Sequence, residues 1–115
     1  AEAINEVEGP TIESYGHLNK VRERAGLAPL SGLSKDDFRT AVFHEERMET
    51  AFEGKRWFDL LRTGRALTVM NAKVATGGSA SVGISSPIEQ YQLLFPIPSV
   101  AVATSSPYIE QNPGY

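Results

Sequence analysis

The sequence predicts a mainly all-α fold, and three kinds of signal predict it. Apolar residues recur three or four positions apart in two stretches before residue 60. Residues suited to helix N-caps precede these stretches, and glycines that can end helices follow at Gly26 and Gly64. We therefore expect one segment over 1–115, helical over 1–75 and mostly irregular, with long loops, over 76–115.

The first two helices are predicted over 1–7 and 11–25. Residues 1–7 are good helix formers with no capping residue ahead of them, so we expect a piece of a longer protein that begins in mid-helix. Gly16 costs stability inside the second helix, which predicts a close neighbouring backbone at that position. The apolar face of this helix is predicted to consist of Tyr15, Leu18, Val21 and Ala25.

A third helix is predicted from Ser34 to about Phe52. Ser34 and Asp37 approximate a capping box, which marks the start of a helix. Glu45 completes the apolar stripe and therefore needs a partner for its carboxylate. The other residues expected on this inner face are Phe38, Ala41 or Val42, Met48 and Phe52.

After a break at Gly54, two short helices are predicted over 55–62 and 65–73. The first is apolar around most of its circumference, at Trp57, Phe58, Leu60 and Leu61, which predicts that it is buried. Beyond it, residues 76–87 are expected to form a Gly/Ser-rich loop that is mobile or faces a partner. Residues 91–98 are expected to be extended, and the tail to be irregular.

Charged residues are concentrated and balanced in the middle of the chain. Seven of the fourteen acids and seven of the eleven bases lie between residues 34 and 65. Arg47, Arg56 and Arg62 are within reach of acids three residues away or across the Gly54 bend. We therefore predict a structural ion-pair cluster that fixes the angle between two helices, made of Glu45, Arg47, Glu49, Glu53, Arg56, Asp59 and Arg62.

Catalytic and metal-binding alternatives are weaker. Glu45, Glu49 and Glu53 could act as paired carboxylates of a glycoside hydrolase, but neighbours on one helix are too close to flank a sugar. His44 and Glu45 lack the second histidine of a zincin, because Met48 stands in its place. Trp57 could stack on a sugar, although its spacing favours the core. No catalytic residue, metal site or cofactor is therefore predicted.

Bulk composition excludes several other classes. The chain has no cysteine, so disulfides and thiolate chemistry are absent. The net charge of −3 gives no electrostatic reason to expect a nucleic-acid partner. The Gly/Ser-rich loop lacks the Gly-Lys-Ser/Thr ending of a phosphate-binding loop.

Four segments, taken in order, resemble the C-terminal part of the SusD/RagB family. They are "LNKVRERAGL" at 18–27, "FRTAVFHEERMETAFEGKRWFDLLRTGRA" at 38–66, "LFPIP" at 94–98 and "QNPGY" at 111–115. Two departures from the family pattern occur: Met48 replaces an arginine and Thr50 a leucine. Together the four segments cover almost the whole chain, and no single one decides the resemblance.

The resemblance implies tetratricopeptide-like helix pairs and a non-catalytic role. Members are lipid-anchored outer-membrane proteins that bind oligosaccharide or another nutrient and act with a TonB-dependent, SusC-like transporter. By this resemblance the chain is chiefly scaffold, anchored through an N-terminus that it lacks and facing the surface or the periplasm. Ligand-binding residues are expected mainly upstream, so none is assigned here. The alternative is a helical-repeat module that binds another protein.

Overall fold

The structure, a computed structural model, describes residues 1–76 and 86–115. Over these residues it contains helices and no strand, which confirms the predicted all-α class. The predicted Gly/Ser-rich loop lies almost entirely outside them. The helices are α1 (Glu2–Glu8), α2 (Ile12–Arg24), α3 (Lys35–Glu49), α4 (Arg56–Arg62), α5 (Ala66–Ala75), the 3-10 helix η1 (Gln90–Leu93) and α6 (Ser99–Ser105).

Two compact units, residues 1–56 and 57–115, divide the chain. The first contains α1, α2 and α3, which pack against one another. The second contains nearly all of α4 and the remaining helices. None of the helices in the described part of the chain is both long and apolar enough to span a bilayer.

Thr11 is the N-cap of helix α2. The Ser14 backbone N–H donates to Thr11 Oγ1 at 3.2 Å, and the Ser14 hydroxyl donates to the Thr11 carbonyl at 2.9 Å. Gly16, in the same helix, is exposed, and a Cβ atom built on it would have no neighbour within 4 Å. The predicted close backbone at Gly16 is therefore wrong.

Helix α3 begins as predicted but ends early. The Ser34 hydroxyl oxygen accepts from the Asp37 backbone N–H at 3.1 Å, and its proton is donated to the Asp37 carboxylate at 2.6 Å. The last helical residue is Glu49, and Phe52 has a left-handed φ of 68°. Because the chain leaves helical geometry before Phe52, the stripe does not reach this residue, and Phe52 is exposed. Met48 lies within α3 and is exposed as well. Their predicted place in the core is wrong.

The core of the first unit lies between α2 and α3. It consists of buried Leu18, Phe38 and Val42. The helical spacing predicted Leu18 and Phe38, and the structure decides for Val42 between the two alternatives Ala41 and Val42. The Tyr15 ring meets the Phe38 ring edge-on, with centroids 4.8 Å apart. Ala25, predicted on the same face of α2, is exposed because the helix ends at Arg24.

Polar contacts attach α1 to the start of α3. Asn5 is fully buried, and its Nδ2 donates to the Lys35 carbonyl at 3.1 Å. Arg39 binds both carboxylate oxygens of Glu6, through Nε at 2.6 Å and Nη2 at 2.7 Å. Hydrogen bonding from Arg39 lowers the pKa of the Glu6 carboxyl below its usual value. Side-chain polar groups therefore hold α1 to α3.

Three side-chain amides fix irregular segments by one shared device. In each case the carboxamide accepts from the backbone N–H and donates to the backbone C=O of a single residue, as a residue of a neighbouring antiparallel strand would. We call this arrangement an amide bridge. The bridges join Asn19 to Leu30 (2.8 and 3.0 Å), Asn71 to Ile88 (2.7 and 3.0 Å) and Gln111 to Ile97 (2.8 and 2.8 Å). Each bridged residue directly follows a proline.

In the second unit, α4 ends at the predicted glycine. Gly64 has φ +65°, and the Arg65 backbone N–H donates to the Leu60 carbonyl at 2.9 Å, as in a Schellman cap. Leu60 is buried, whereas Phe58 is exposed and Trp57 is half-buried. The prediction that α4 is buried all round is wrong, because its Phe58 side is left open to solvent.

Two C-terminal helices were not predicted. Residues 90–93 form η1 instead of the start of an extended segment. Helix α6 begins immediately after Pro98, whose carbonyl accepts from the Ala101 and Val102 backbone N–H groups at 2.8 and 3.2 Å. Proline is common at helix starts, so Pro98 was the sequence signal that could have indicated α6.

Candidate functional site

A buried ion pair joins α2 to α3. Glu45 Oε2 accepts from Arg22 Nη1 at 2.8 Å, and the two side chains are 7% and 16% exposed. Arg22 Nε also donates to the Ala28 carbonyl at 2.9 Å, which ties the connector after α2 to the same group. The expectation that Glu45 needs a partner on its apolar face is confirmed.

The remaining acids of the predicted cluster have partners of several kinds. Asp59 accepts from Arg62 Nε at 2.9 Å, a pairing at the predicted three-residue spacing. Glu53 lies 2.7 Å from Lys55 Nζ. Glu49 accepts from Arg24 of α2, a partner 25 residues away that no local spacing could reveal.

The arginines of the predicted cluster differ in exposure. Arg47 lies on the exposed side of α3, and Arg56 is half-buried at the start of α4. Arg62 is more exposed than its partner Asp59. The proposed role of all seven residues in setting an angle between two helices stays a prediction.

A groove of about 380 Å³ opens in the first unit among α1, α2 and α3. Leu18, Val21 and Val42 supply apolar surface to it. Both Glu45 and Glu49 face it, and each is already bound to an arginine. The other lining residues are Ala1, Glu2, His17, Glu46 and Thr50.

The two carboxylates of this groove that the sequence singled out, Glu45 and Glu49, do not have the arrangement of a hydrolytic pair. Glu45 and Glu49 belong to one helix, whereas a glycoside hydrolase needs two carboxyl groups on opposite sides of the scissile bond. His17 is exposed, with Nε2 at 3.6 Å from Glu13. Over residues 1–76 and 86–115, no group of three or more potential metal ligands comes together.

Trp57 is placed differently from what either sequence interpretation required. Its side chain is half-buried, so it is neither a fully packed core residue nor an open platform. Its indole Nε1 is buried and has no hydrogen-bond partner in the described part of the chain. Stacking on a sugar stays an untested alternative.

In the second unit, the C-terminal tail binds the proline-containing segment 94–98. Gln111 bridges both backbone groups of Ile97, and Asn112 Nδ2 donates to the Phe95 carbonyl at 2.7 Å. The Tyr115 hydroxyl donates to the Leu94 carbonyl at 2.8 Å. Three side chains of the tail therefore hold the backbone of 94–97 in one conformation.

Aromatic packing reinforces this contact. Tyr115 meets the Tyr91 ring edge-on, with centroids 5.1 Å apart. Gly114 has φ +98°, and a Cβ atom built there would lie 2.5 Å from Tyr91 Cγ. Position 114 therefore needs glycine both for its backbone conformation and for the space that Tyr91 fills.

Beside the tail lies a second groove, of about 670 Å³. Four of its lining residues are apolar or aromatic: Tyr91, Leu93, Leu94 and Pro113. The polar ones are Glu89 and Gln90. Leu94 is 61% exposed, although the main chain on which it stands is fixed by the tail.

Comparison with known proteins identifies the family. The model of the SusD family matches residues 1–115, the whole chain. The chain belongs to the SusD family. Among its relatives, SusD-like protein P2 of Formosa agariphila is 32% identical over the full length of this chain, which spans 23% of that relative.

Two further SusD-like proteins of the same organism match part of this chain. SusD-like protein P25 is 40% identical over 61% of the chain, and SusD-like protein P38 is 39% identical over 61% of it. The matched regions are 14% and 16% of those two proteins. No solved structure matches the chain.

The four segments that resemble the SusD family are associated in pairs in the structure. Segment 18–27 contains Arg22, and segment 38–66 contains its buried partner Glu45. Segment 111–115 binds segment 94–98 through Gln111, Asn112 and Tyr115. The sequence signal for this contact was the pair of side-chain amides at Gln111 and Asn112, because Asn and Gln side chains can bind backbone groups. The backbone groups that they bind could not be predicted from sequence.

Proposed function

We propose that this chain is the C-terminal helical part of a SusD-family protein that binds an oligosaccharide or similar nutrient at the outer membrane. The whole protein would be lipid-anchored and would pass its nutrient to a TonB-dependent, SusC-like transporter. Within it, residues 1–115 act chiefly as scaffold. The observation that carries this proposal is the family match over the whole chain, together with the full-length similarity to SusD-like protein P2.

A non-catalytic role is part of the proposal. Glu45 and Glu49, the acids that a hydrolase interpretation would use, are engaged by arginines of α2. A carboxylate that is hydrogen-bonded to an arginine is not free to approach a glycosidic oxygen as a general acid. The ion pairs therefore support a structural use of these carboxylates.

The division of labour can be tested by glycan binding. Isothermal titration calorimetry of the 115-residue chain against a panel of polysaccharides should give no heat of binding. The whole protein, in its soluble form without lipid, should bind at least one member of the panel. Tight binding of a polysaccharide by the 115-residue chain alone would contradict the scaffold role.

Genomic context gives an independent test of the transporter partnership. A gene for a TonB-dependent transporter is expected beside the gene for this protein, and co-purification of the two proteins from outer membranes is expected. A reading frame without lipoprotein signal, continuing upstream as regular helical repeats, would favour the alternative of a protein-binding repeat module.

A further inference from the structure

We propose that the groove beside the C-terminal tail, lined by Tyr91, Leu93, Leu94 and Pro113, receives apolar side chains from the upstream part of the same polypeptide. This inference rests on the proposed function, because it requires that the chain belong to a longer SusD-family protein. Two observations carry the step: the main chain of the groove is held by hydrogen bonds, and four of its six lining residues are apolar or aromatic.

The groove is built on a main chain that is unusually well fixed for an irregular segment. Leu94 donates its N–H to the Tyr91 carbonyl at 3.2 Å and accepts from the Tyr115 hydroxyl through its own carbonyl. The neighbouring Phe95 carbonyl accepts from Asn112, and both backbone groups of Ile97 are bound by Gln111. A surface fixed in this way loses little entropy when it is covered, which is the condition for tight packing against a partner.

The stretch of chain that supplies Gln90, Tyr91, Leu93 and Leu94 to the groove has the composition of a protein interface. Residues 90–109 contain no charged side chain and no histidine. Large apolar side chains in this stretch are nevertheless exposed, at Leu94, Phe95, Val100 and Tyr108. Depletion of charge together with aromatic enrichment marks the centre of protein interfaces, and isolated proteins seldom leave such surface in water.

The occupant is most economically the remainder of the polypeptide. SusD-like protein P2, which matches this chain from end to end, is about four times as long, since the chain spans 23% of it. A small, highly polar ligand is a poorer fit, because four of the six lining residues are apolar or aromatic and Glu89 is the charged one among them. A charged partner finds no complement over residues 90–109.

The absence of cysteine from the chain allows a direct measurement. A Leu94→Cys variant is prepared in the 115-residue chain and in the whole protein, and the rate of its reaction with a water-soluble maleimide is followed by mass spectrometry of that residue. The rate in urea-unfolded protein gives the intrinsic reactivity of the thiol. We expect fast reaction in the 115-residue chain and a rate slower by about tenfold or more in the whole protein, because burial requires local opening before reaction.

A second variant tests the same proposal in case Leu94→Cys prevents folding. Leu94→Ser should lower the Tm of the whole protein by about 2 °C or more and leave that of the 115-residue chain unchanged. Leu94→Met is the matched control, since it keeps apolar volume and should have little effect in either protein.

Several results would overturn the proposal. Equal labelling rates in the two proteins would show that the groove is open in both. Protection in the 115-residue chain that depends on its concentration would assign the groove to a second copy, and protection that appears only with the transporter or with lipid vesicles would assign it to those partners. Glycan binding by the whole protein with an unprotected Leu94→Cys would overturn this inference and leave the proposed function intact.

Discussion

Removal of the Glu45 carboxylate is the sharpest test of how the first unit is held together. Glu45→Ala leaves the Arg22 guanidinium without its anionic partner while its side chain is only 16% exposed. The remaining hydrogen bond from Arg22 Nε to the Ala28 carbonyl cannot compensate a buried charge. Breaking a buried ion pair from one side costs about 3 to 5 kcal/mol. Partial access of water to Arg22 places the expected loss near the lower limit, about 3 kcal/mol.

The measurement is urea unfolding followed by far-ultraviolet circular dichroism, with a matched exposed pair as control. Arg24 and Glu49 join the same two helices, but their side chains are 70% and 33% exposed. Glu49→Ala should therefore cost no more than about 1 kcal/mol. Replacing Arg22 and Glu45 together by methionine should restore much of the stability lost in Glu45→Ala, because neither buried charge is then left alone.

The reasoning would be refuted if Glu45→Ala cost no more than Glu49→Ala. It would also be refuted if a double-mutant cycle between Arg22 and Glu45 gave a coupling energy near zero, since the cycle isolates their mutual interaction. If Glu45→Ala changed the slope of the unfolding free energy against urea concentration, its unfolded or native state would be altered. The Arg22→Met variant would then replace Glu45→Ala in the comparison with Glu49→Ala.

Three further predictions concern single positions. Gly16→Ala should raise the free energy of unfolding by about 1 kcal/mol, because the added methyl group meets nothing within 4 Å; a loss of stability on thermal unfolding would contradict this. Gly114→Ala should cost about 1 to 3 kcal/mol and shift the NMR signals of the Tyr91 ring, since φ is +98° and the new Cβ would overlap that ring; unchanged spectra would count against the tail contact. Arg39 lowers the pKa of Glu6, so this pair stabilises the fold at pH values above the unfolded pKa of Glu6, and its contribution is lost as the pH falls through the lower folded pKa. Arg39→Gln should therefore make the acid unfolding curve shallower in that range, and identical curves would exclude the effect.

Much of the secondary structure followed from local sequence alone. Thr11 and Ser34 cap α2 and α3 through their own side chains, and Gly64 ends α4 in a left-handed conformation. These signals act over three or four residues, so they are visible without knowledge of the fold. The core residues Leu18 and Phe38 were found for the same reason, because helical spacing alone places them on the apolar faces of their helices.

Long-range partners were decided only by the tertiary structure. The sequence predicted that the Glu45 carboxylate needs a partner, but it could not indicate that Arg22, 23 residues earlier, supplies it. Likewise, the family resemblance singled out both C-terminal segments, and only the structure shows that Gln111 of one binds Ile97 of the other.

The sequence by itself determined the family, the all-α class, the starts of α2 and α3 and the glycine that ends α4. Tertiary structure decided where α3 stops contributing to the core, which arginines bind Glu45 and Glu49, and how the tail fixes residues 94–97. The physical reason is range: caps and periodicity depend on groups within one or two helical turns, whereas Phe52 is exposed and Glu49 binds Arg24 because of how the chain turns and packs beyond those distances.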